Sequence, residues 1–317
     1  MHKARRLLWL VPLLPLFALA QSQTPAGAPA RIIVTLGHFY GQQPPALTPQ
    51  DLIVTEKYEP LPITGLVPLR GDLAGLELYL LVDNCSNCEP GPKFEELRRF
   101  IGSQPPATSI GVAYIQDGRL VVAEKPTQDR ERAVNALSAP AGSKPSNPFV
   151  PLADLIKGWN QDAARHVVLM ISNGFDPAAT REPQNPAAEA AIEAAQRAGV
   201  TVYAIYHPSA DYVSASPSAT YSGQVQLAHV AFETGGEAYF LGVGPLPSLA
   251  PFLADIAEHL ANQYTLELLA TPCEAPGALE EVTVKAISHN LDVMAPSRVW
   301  VPGTVPAKTK PPSGKAR

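Results

Sequence analysis

The chain has 317 residues, with 24 Lys+Arg against 29 Asp+Glu and a formal net charge of −5. Hydrophobic residues make up 46%, enough for a buried core and too many for wholesale disorder. No basic surplus is present to attract phosphates, so a general nucleic-acid binder is disfavoured and no nucleic-acid partner is expected.

The first twenty residues read as a secretory signal peptide. His2, Lys3, Arg5 and Arg6 form a positive start, and Leu7 to Ala20 is apolar but short for a membrane span. Ala18-Leu19-Ala20 then offers small residues for cleavage before Gln21. No later segment is long and apolar enough for a transmembrane helix, so a secreted or periplasmic product without an integral membrane segment is expected.

Arg31–Thr35 and Leu52–Glu56 read as short strands, split by a Pro-rich stretch. Glu77–Val82 is an apolar run of the kind that fits a strand covered on both faces. Phe94, Leu97, Phe100 and Ile101 give helical spacing, stopped by Gly102. Ser109–Gln116 and Arg119–Glu124 flank Asp117-Gly118, a strong hairpin signal. A helix is expected from about Gln128 to Leu137, then a loop over Ala139–Asn147, then a short helix marked by Leu152, Leu155, Ile156 and Trp159.

His166–Ile171 and Thr201–Tyr206 are further apolar strands. Between them, Asn185 and Pro186 start a helix that Gly199 ends. Helices follow at about Gln224–Glu233 and along Leu249, Phe252, Leu253, Ile256 and Leu260. Tyr264–Ala270 and Glu281–Ile287 read as closing strands. The alternation over Glu77–Gln263 predicts an α/β fold: a doubly wound, mainly parallel sheet with one antiparallel edge strand. Strands at the two chain ends have no helices between them and are expected to pair as a small β module. The resulting division is signal peptide 1–20, N-terminal β segment 21–76, α/β domain 77–263, C-terminal β segment 264–301 and a disordered basic tail 302–317.

Ligands of such sheets bind at the carboxyl ends of the strands. Two ends stand out: Asp83-Asn84-Cys85-Ser86-Asn87-Cys88, and Ser172-Asn173-Gly174-Phe175-Asp176. Thr127, before a predicted helix, is a third candidate. The seven His show no metal-ligand spacing, and His229 and His259 read as packed or surface residues of helices. No G-x-S-x-G, H-E-x-x-H or phosphate loop is present, so no enzyme is expected.

At these residues the chain resembles the von Willebrand factor type A domain, and more closely its exported bacterial branch. LLVDNCSN stands where that family has a strand ending in D-x-S-x-S, and HVVLMISNGFD resembles its strand ending in S/T-D-G. KPTQDRERAVNAL resembles the family's threonine loop, and AAIEAAQRAGVTVYAIY, FETGGEAYF and HLANQYTLEL resemble its later stretches. The resemblance covers about Arg31 to Pro302. It implies a metal-ion-dependent adhesion site, where Mg²⁺ takes oxygen ligands and its remaining position accepts a partner's carboxylate.

Carried over residue by residue, that site is degenerate. Asp83 matches the first Asp and Thr127 the Thr, but Cys85 and Asn87 replace the two Ser and Asn173 the second Asp. Thiol sulfur suits Mg²⁺ poorly, and Asn keeps a carbonyl oxygen while losing the charge. Asp83, Asn87, Thr127 and Asn173 are therefore expected to hold Mg²⁺ weakly or not at all. Asp176 lies three residues beyond Asn173 and is not a direct replacement. A bland reading stands beside this one: Asp83 and Asn173 terminate strands, and Thr127 caps a helix.

Cys85 and Cys88 are expected to form a disulfide closing their loop, with Cys273 left over. The leading expectation is an exported, non-catalytic adhesion or scaffold domain. It would bind an unidentified protein through Asp83, Asn84, Cys85, Ser86, Thr127, Asn173 and Asp176. The alternatives are an extracytoplasmic thiol–disulfide protein using Cys85-x-x-Cys88, or a purely structural envelope component.

Overall fold

The structure, a computed structural model, describes residues 27–37, 44–71, 74–83, 91–138, 146–159, 165–177, 185–208, 217–242, 246–274 and 276–303. The expected signal peptide, the tail beyond Gly303 and the segment Asn84–Pro90 lie outside the described residues.

Three runs dictate the centre. β5 (Leu76–Asp83), β8 (His166–Ser172) and β9 (Val200–Tyr206) are apolar at successive positions, so both faces of each need cover. Odd and even residues accordingly enter two different cores. Leu78, Leu80, Val167, Leu169, Tyr203 and Ile205 pack with α1 (Gly91–Ser103) and the helix carrying Leu253, Ile256 and Leu260. Tyr79, Leu81, Val168, Met170, Val202 and Ala204 pack on the other face with α3 (Phe149–Lys157) and α4 (Pro186–Ala198).

The remaining strands extend this sheet. β6 (Thr108–Gln116) runs parallel to β5, and β7 (Arg119–Thr127) returns antiparallel as one edge. Their turn holds Asp117 at φ 49° and Gly118 at φ 73°, the positive pair that a two-residue hairpin of the observed twist requires. The two-residue β10 (Ala238–Tyr239) pairs parallel with β9 at the other edge. The sheet order is β10-β9-β8-β5-β6-β7. Counted from β5 this is 3-2-1-4-5-6, the doubly wound order, with its switch point between β5 and β8.

Helix signals act as read. Asn185 Oδ1 accepts from Ala187 N and Ala188 N, Pro186 takes the first position of α4, and Gly199 ends it at φ 67°. α2 (Arg130–Asn135) is shorter than its pattern and is capped by Asp129, whose Oδ1 accepts from Arg132 N at 3.1 Å. Thr127 is thus the last residue of an edge strand and not the cap of that helix. α5 (Pro217–Glu233) and α6 (Ala250–Ala261) complete the cover.

The chain ends form a separate antiparallel module, as their patterns predict. β1 (Ala28–Gly37) pairs with β11 (Gln263–Ala270) in continuous register from Ala28↔Ala270 to Thr35↔Gln263. β4 (Ile63–Pro68) and β13 (Asp292–Met294) flank them. In the second sheet, β12 (Gly277–Ala286) lies between β2 (Leu52–Glu56) and β14 (Arg298–Pro302), with β3 (Glu59–Pro60) at the edge. Val34, Leu36, Val54, Leu266, Leu268, Val299 and Val301 fill the space between the sheets. Pro302, placed in the tail by composition, ends β14 instead, because Val299 and Val301 alternate inward. Among the described residues no helix is long and apolar enough to cross a membrane.

A buried guanidinium ties the module to the α/β domain. Arg165 donates to Leu260 O and Gln263 Oε1 at 2.7 Å each and to Ala74 O at 3.1 Å. Gln263 Nε2 in turn donates to Thr35 Oγ1 at 3.2 Å. Arg165→Met would leave those acceptors without their donor, and an unsatisfied buried polar group costs about 1–3 kcal/mol. We expect a stability loss of about 3 kcal/mol in urea unfolding; a loss below about 1 kcal/mol would mean that water replaces the guanidinium at no net cost.

Candidate functional site

The switch point brings the carboxyl ends of β5 and β8 side by side. Val82 is in register with Ile171, so Asp83 and Ser172 are the next neighbours. Ser172 Oγ donates to Asp83 Oδ2 at 2.8 Å and accepts from Gly174 N at 3.1 Å. Burial penalises the charged carboxylate and pushes Asp83 up to about 6, with the Ser172 hydrogen bond opposing the shift.

The following turn is set by Asn173, which is 8% exposed. Its Oδ1 accepts from Phe175 N at 2.9 Å, an Asx turn. Gly174 then adopts φ 66°, and a Cβ there would stand 2.3 Å from Gly223 O of α5. A Cβ on Gly223 would conversely meet Asn173 O at 2.1 Å. The two glycines let the loop press directly on the helix backbone, which fixes its height above the sheet.

Two groups that the sequence reading did not select complete this face. Asn147 Nδ2 donates to Asp176 Oδ2, while Asn147 Oδ1 accepts from Phe149 N at 2.8 Å and Val150 N at 3.3 Å. One amide thus starts α3 and holds Asp176, which is 7% exposed. The Asn-Pro-Phe run at a helix start was the available signal. At the end of β9, His207 N donates to Ser172 O at 2.9 Å, and Lys93 Nζ lies 3.1 Å from His207 Nε2. Burial, then the Lys93 charge, drive the imidazole down to about 4, so it is neutral at pH 7 with Nε2 as acceptor.

Thr127 does not join this site. It is in register with Ile110, whereas Asp83 is in register with Ile115 on the same strand. Five residues of strand separate the two positions, about 17 Å at the usual rise. The antiparallel return of β7 carries Thr127 to the amino end of the sheet; its Oγ1 accepts from Asp129 N at 3.1 Å. Asn147 holds the place beside Asp176 on the loop face. Asn84, Cys85, Ser86, Asn87 and Cys88, and with them the expected disulfide, lie outside the described residues. Cys273 sits in the β module, with its Sγ 3.3 Å from Val301 O.

The described part of the loop face does not fit an adhesion-type Mg²⁺ site. Such an ion demands near-octahedral oxygen from preset carboxylate, hydroxyl and water ligands. Here Asp83 Oδ2 and Ser172 Oγ bond each other, Asn173 Oδ1 is turned to a backbone amide, Asp176 is held by Asn147, and Thr127 is at the other end of the sheet.

The doubly wound sheet, its antiparallel edge and the loop face at the switch point form an α/β domain of the kind that the resemblance to the von Willebrand factor type A domain implies, here joined to a β module. No protein-family model and no curated protein matches the chain. Similar solved structures include the vWF domain of the type V pili tip protein Mfa5 from Porphyromonas gingivalis, at 11% identity and TM-score 0.42 over 62% of this chain and 95% of that one. The pilus adhesin SpaC from Lactobacillus rhamnosus GG, in its open conformation, gives 8% identity and TM-score 0.45 over 81% of this chain and 48% of that one. The SpRpn10 VWA domain gives 14% identity and TM-score 0.37 over 56% and 93%.

Asp83 gives the loop face a pH signature. A carboxyl with its pKa raised in the fold is harder to ionise folded than unfolded, so its ionisation removes stability as pH rises through about 4 to 6. Asp83→Asn keeps an acceptor for Ser172 and removes that ionisation. At pH 7.5 the variant should be more stable by about 1–3 kcal/mol, with the gain vanishing near pH 4. Denaturant unfolding at the two pH values measures this; an equal difference at both would show that the carboxyl is not shifted.

Proposed function

We propose that the chain is an exported, non-catalytic protein-binding domain. It engages its partner through the loop face at the carboxyl ends of β5, β8 and β9. The observation that carries this reading is the convergence of Asp83, Ser172, Asn173, Asp176 and Asn147 at the switch point, the place where open α/β sheets bind. Their hydrogen bonds run to one another and to backbone, which gives a loop of fixed shape and leaves little for a cation. Recognition then rests on shape, on the half-exposed Phe175 and on Lys93, with Mg²⁺ bound weakly or not at all. Export is supported by the basic and apolar leader of residues 1–20, and the site of action is secreted or periplasmic.

The test is capture of the partner from envelope and secreted fractions, with quantitative comparison of variants. Phe175→Asp and Lys93→Glu should each weaken capture at least about tenfold, as loss of an interface anchor does. Ile53→Asp on the exposed face of β2, where Ile53 is 51% exposed, should leave it unchanged. The opposite pattern would move the binding surface to the β module. EDTA should have no effect, and calorimetry should show Mg²⁺ uptake only after Asn173→Asp; saturable uptake by the unsubstituted protein, with capture lost in EDTA, would overturn the ion-independent part.

A further inference from the structure

A second polar cluster lies away from the loop face, at the β10 edge of the sheet. Tyr239 lies on β10 and Glu237 immediately precedes that strand. Asp255 and His259 are four apart on α6 and share a face. The fold brings that face to Tyr239 and Glu237. Tyr239 Oη lies 2.8 Å from Asp255 Oδ2, 3.3 Å from Glu237 Oε2 and 3.4 Å from His259 Nδ1. His259 Nδ1 is 3.8 Å from Glu237 Oε2, and His259 Nε2 is 3.8 Å from Asp255 Oδ2. Among the described residues this is the one group of His, Cys, Asp and Glu whose ligand atoms all converge within 4.8 Å.

We propose that Glu237, Asp255 and His259, with Tyr239 beside them, form a binding site for a divalent transition-metal ion of the zinc class. The donor set is one imidazole nitrogen and two carboxylate oxygens, which suits Zn²⁺ and its neighbours and leaves a fourth position for water or the phenol. Imidazole disfavours Mg²⁺ and Ca²⁺, which take oxygen. Ligand atoms of a tetrahedral zinc stand about 3.4 Å apart; taking one atom from each residue, the three lie within 4.8 Å of one another, so side-chain rotations of about an ångström would close the site.

The imidazole is fully buried, while the Glu237 and Asp255 side chains keep 30% and 26% exposure, so an ion has a way in. Bound there, the ion would clamp β10, held to the sheet by only Ala238↔Ala204 and Tyr239↔Ile205, to the helix above it.

The test is calorimetric titration of chelator-stripped protein with Zn²⁺, and with Co²⁺ as a spectroscopic stand-in. One Zn²⁺ per chain should bind, and hydrogen exchange at Ala238 and Tyr239 should slow on binding. Asp255→Asn and Glu237→Gln preserve shape, checked by near-ultraviolet circular dichroism, and each should weaken Zn²⁺ at least about tenfold. Asp83→Asn should not. Co²⁺ should give visible bands of nitrogen and oxygen coordination without sulfur charge transfer. No saturable binding by unsubstituted protein, equal binding by both amide variants, or a sulfur-dominated Co²⁺ spectrum, which would put the metal on the cysteines, overturns the site.

Discussion

The structure depends on one constraint: the three central strands cannot leave either face in water. β5, β8 and β9 carry large apolar side chains at odd and even positions alike, and Leu78, Leu80 and Leu81 of a single strand are all fully buried. A sheet with two apolar faces needs helices on both, and helices on both faces need crossover connections that alternate sides. Parallel crossovers collect the carboxyl ends of the strands on one rim. The loop face is therefore a geometric consequence of the apolar runs, and Asp83 and Ser172 meet because their strands are adjacent at the reversal of winding.

The β module follows from the same economy at the chain ends. β1 and β11 face each other in eight consecutive pairs, from the two ends of the α/β domain, so closing that domain brings them within reach. α6 runs into β11 with only Asn262 between them, and Arg165 meets one of its last carbonyls, Leu260 O. A second tie joins α4 to the module, where Arg197 stacks over the ring of Trp300 at 4.3 Å. Contacts of this kind make the orientation of the loop face relative to the module a property of the fold, because a buried guanidinium has few alternative partners.

Local patterns made most of the architecture legible. The Asp117-Gly118 turn, the Asn185-Pro186 start and Gly199 stop of α4, and the three apolar strands all act through neighbours in sequence. The pairing of the chain ends followed from strands with no helix between them. What stayed hidden was set by partners far along the chain. Thr127 reads as a loop residue because KPTQDRERAVNAL resembles the family's threonine loop before a helix; nothing local shows that the preceding strand has already carried the chain to the other end of the sheet. β14 was legible only in part, since Arg298–Pro302 becomes a strand by pairing with Gly277–Glu281. His259 reads as a packed or surface residue and is fully buried; its place 3.8 Å from Glu237 is set by the fold and not by sequence spacing.

The two polar clusters differ in how their charges are met, and that difference separates what each can do. On the loop face each acid has a neutral donor: Ser172 for Asp83 and Asn147 for Asp176. Among the described residues there, Asn173 Oδ1 makes a turn and Asn147 Oδ1 starts a helix. At the β10 edge one phenol, Tyr239, is the donor between two acids, Glu237 and Asp255, and burial together with both carboxylates holds it far above the usual range. The phenol oxygen lies 2.8 Å from Asp255 Oδ2 and 3.3 Å from Glu237 Oε2. One sheet thus carries two polar clusters, one at its switch point and one at its β10 edge.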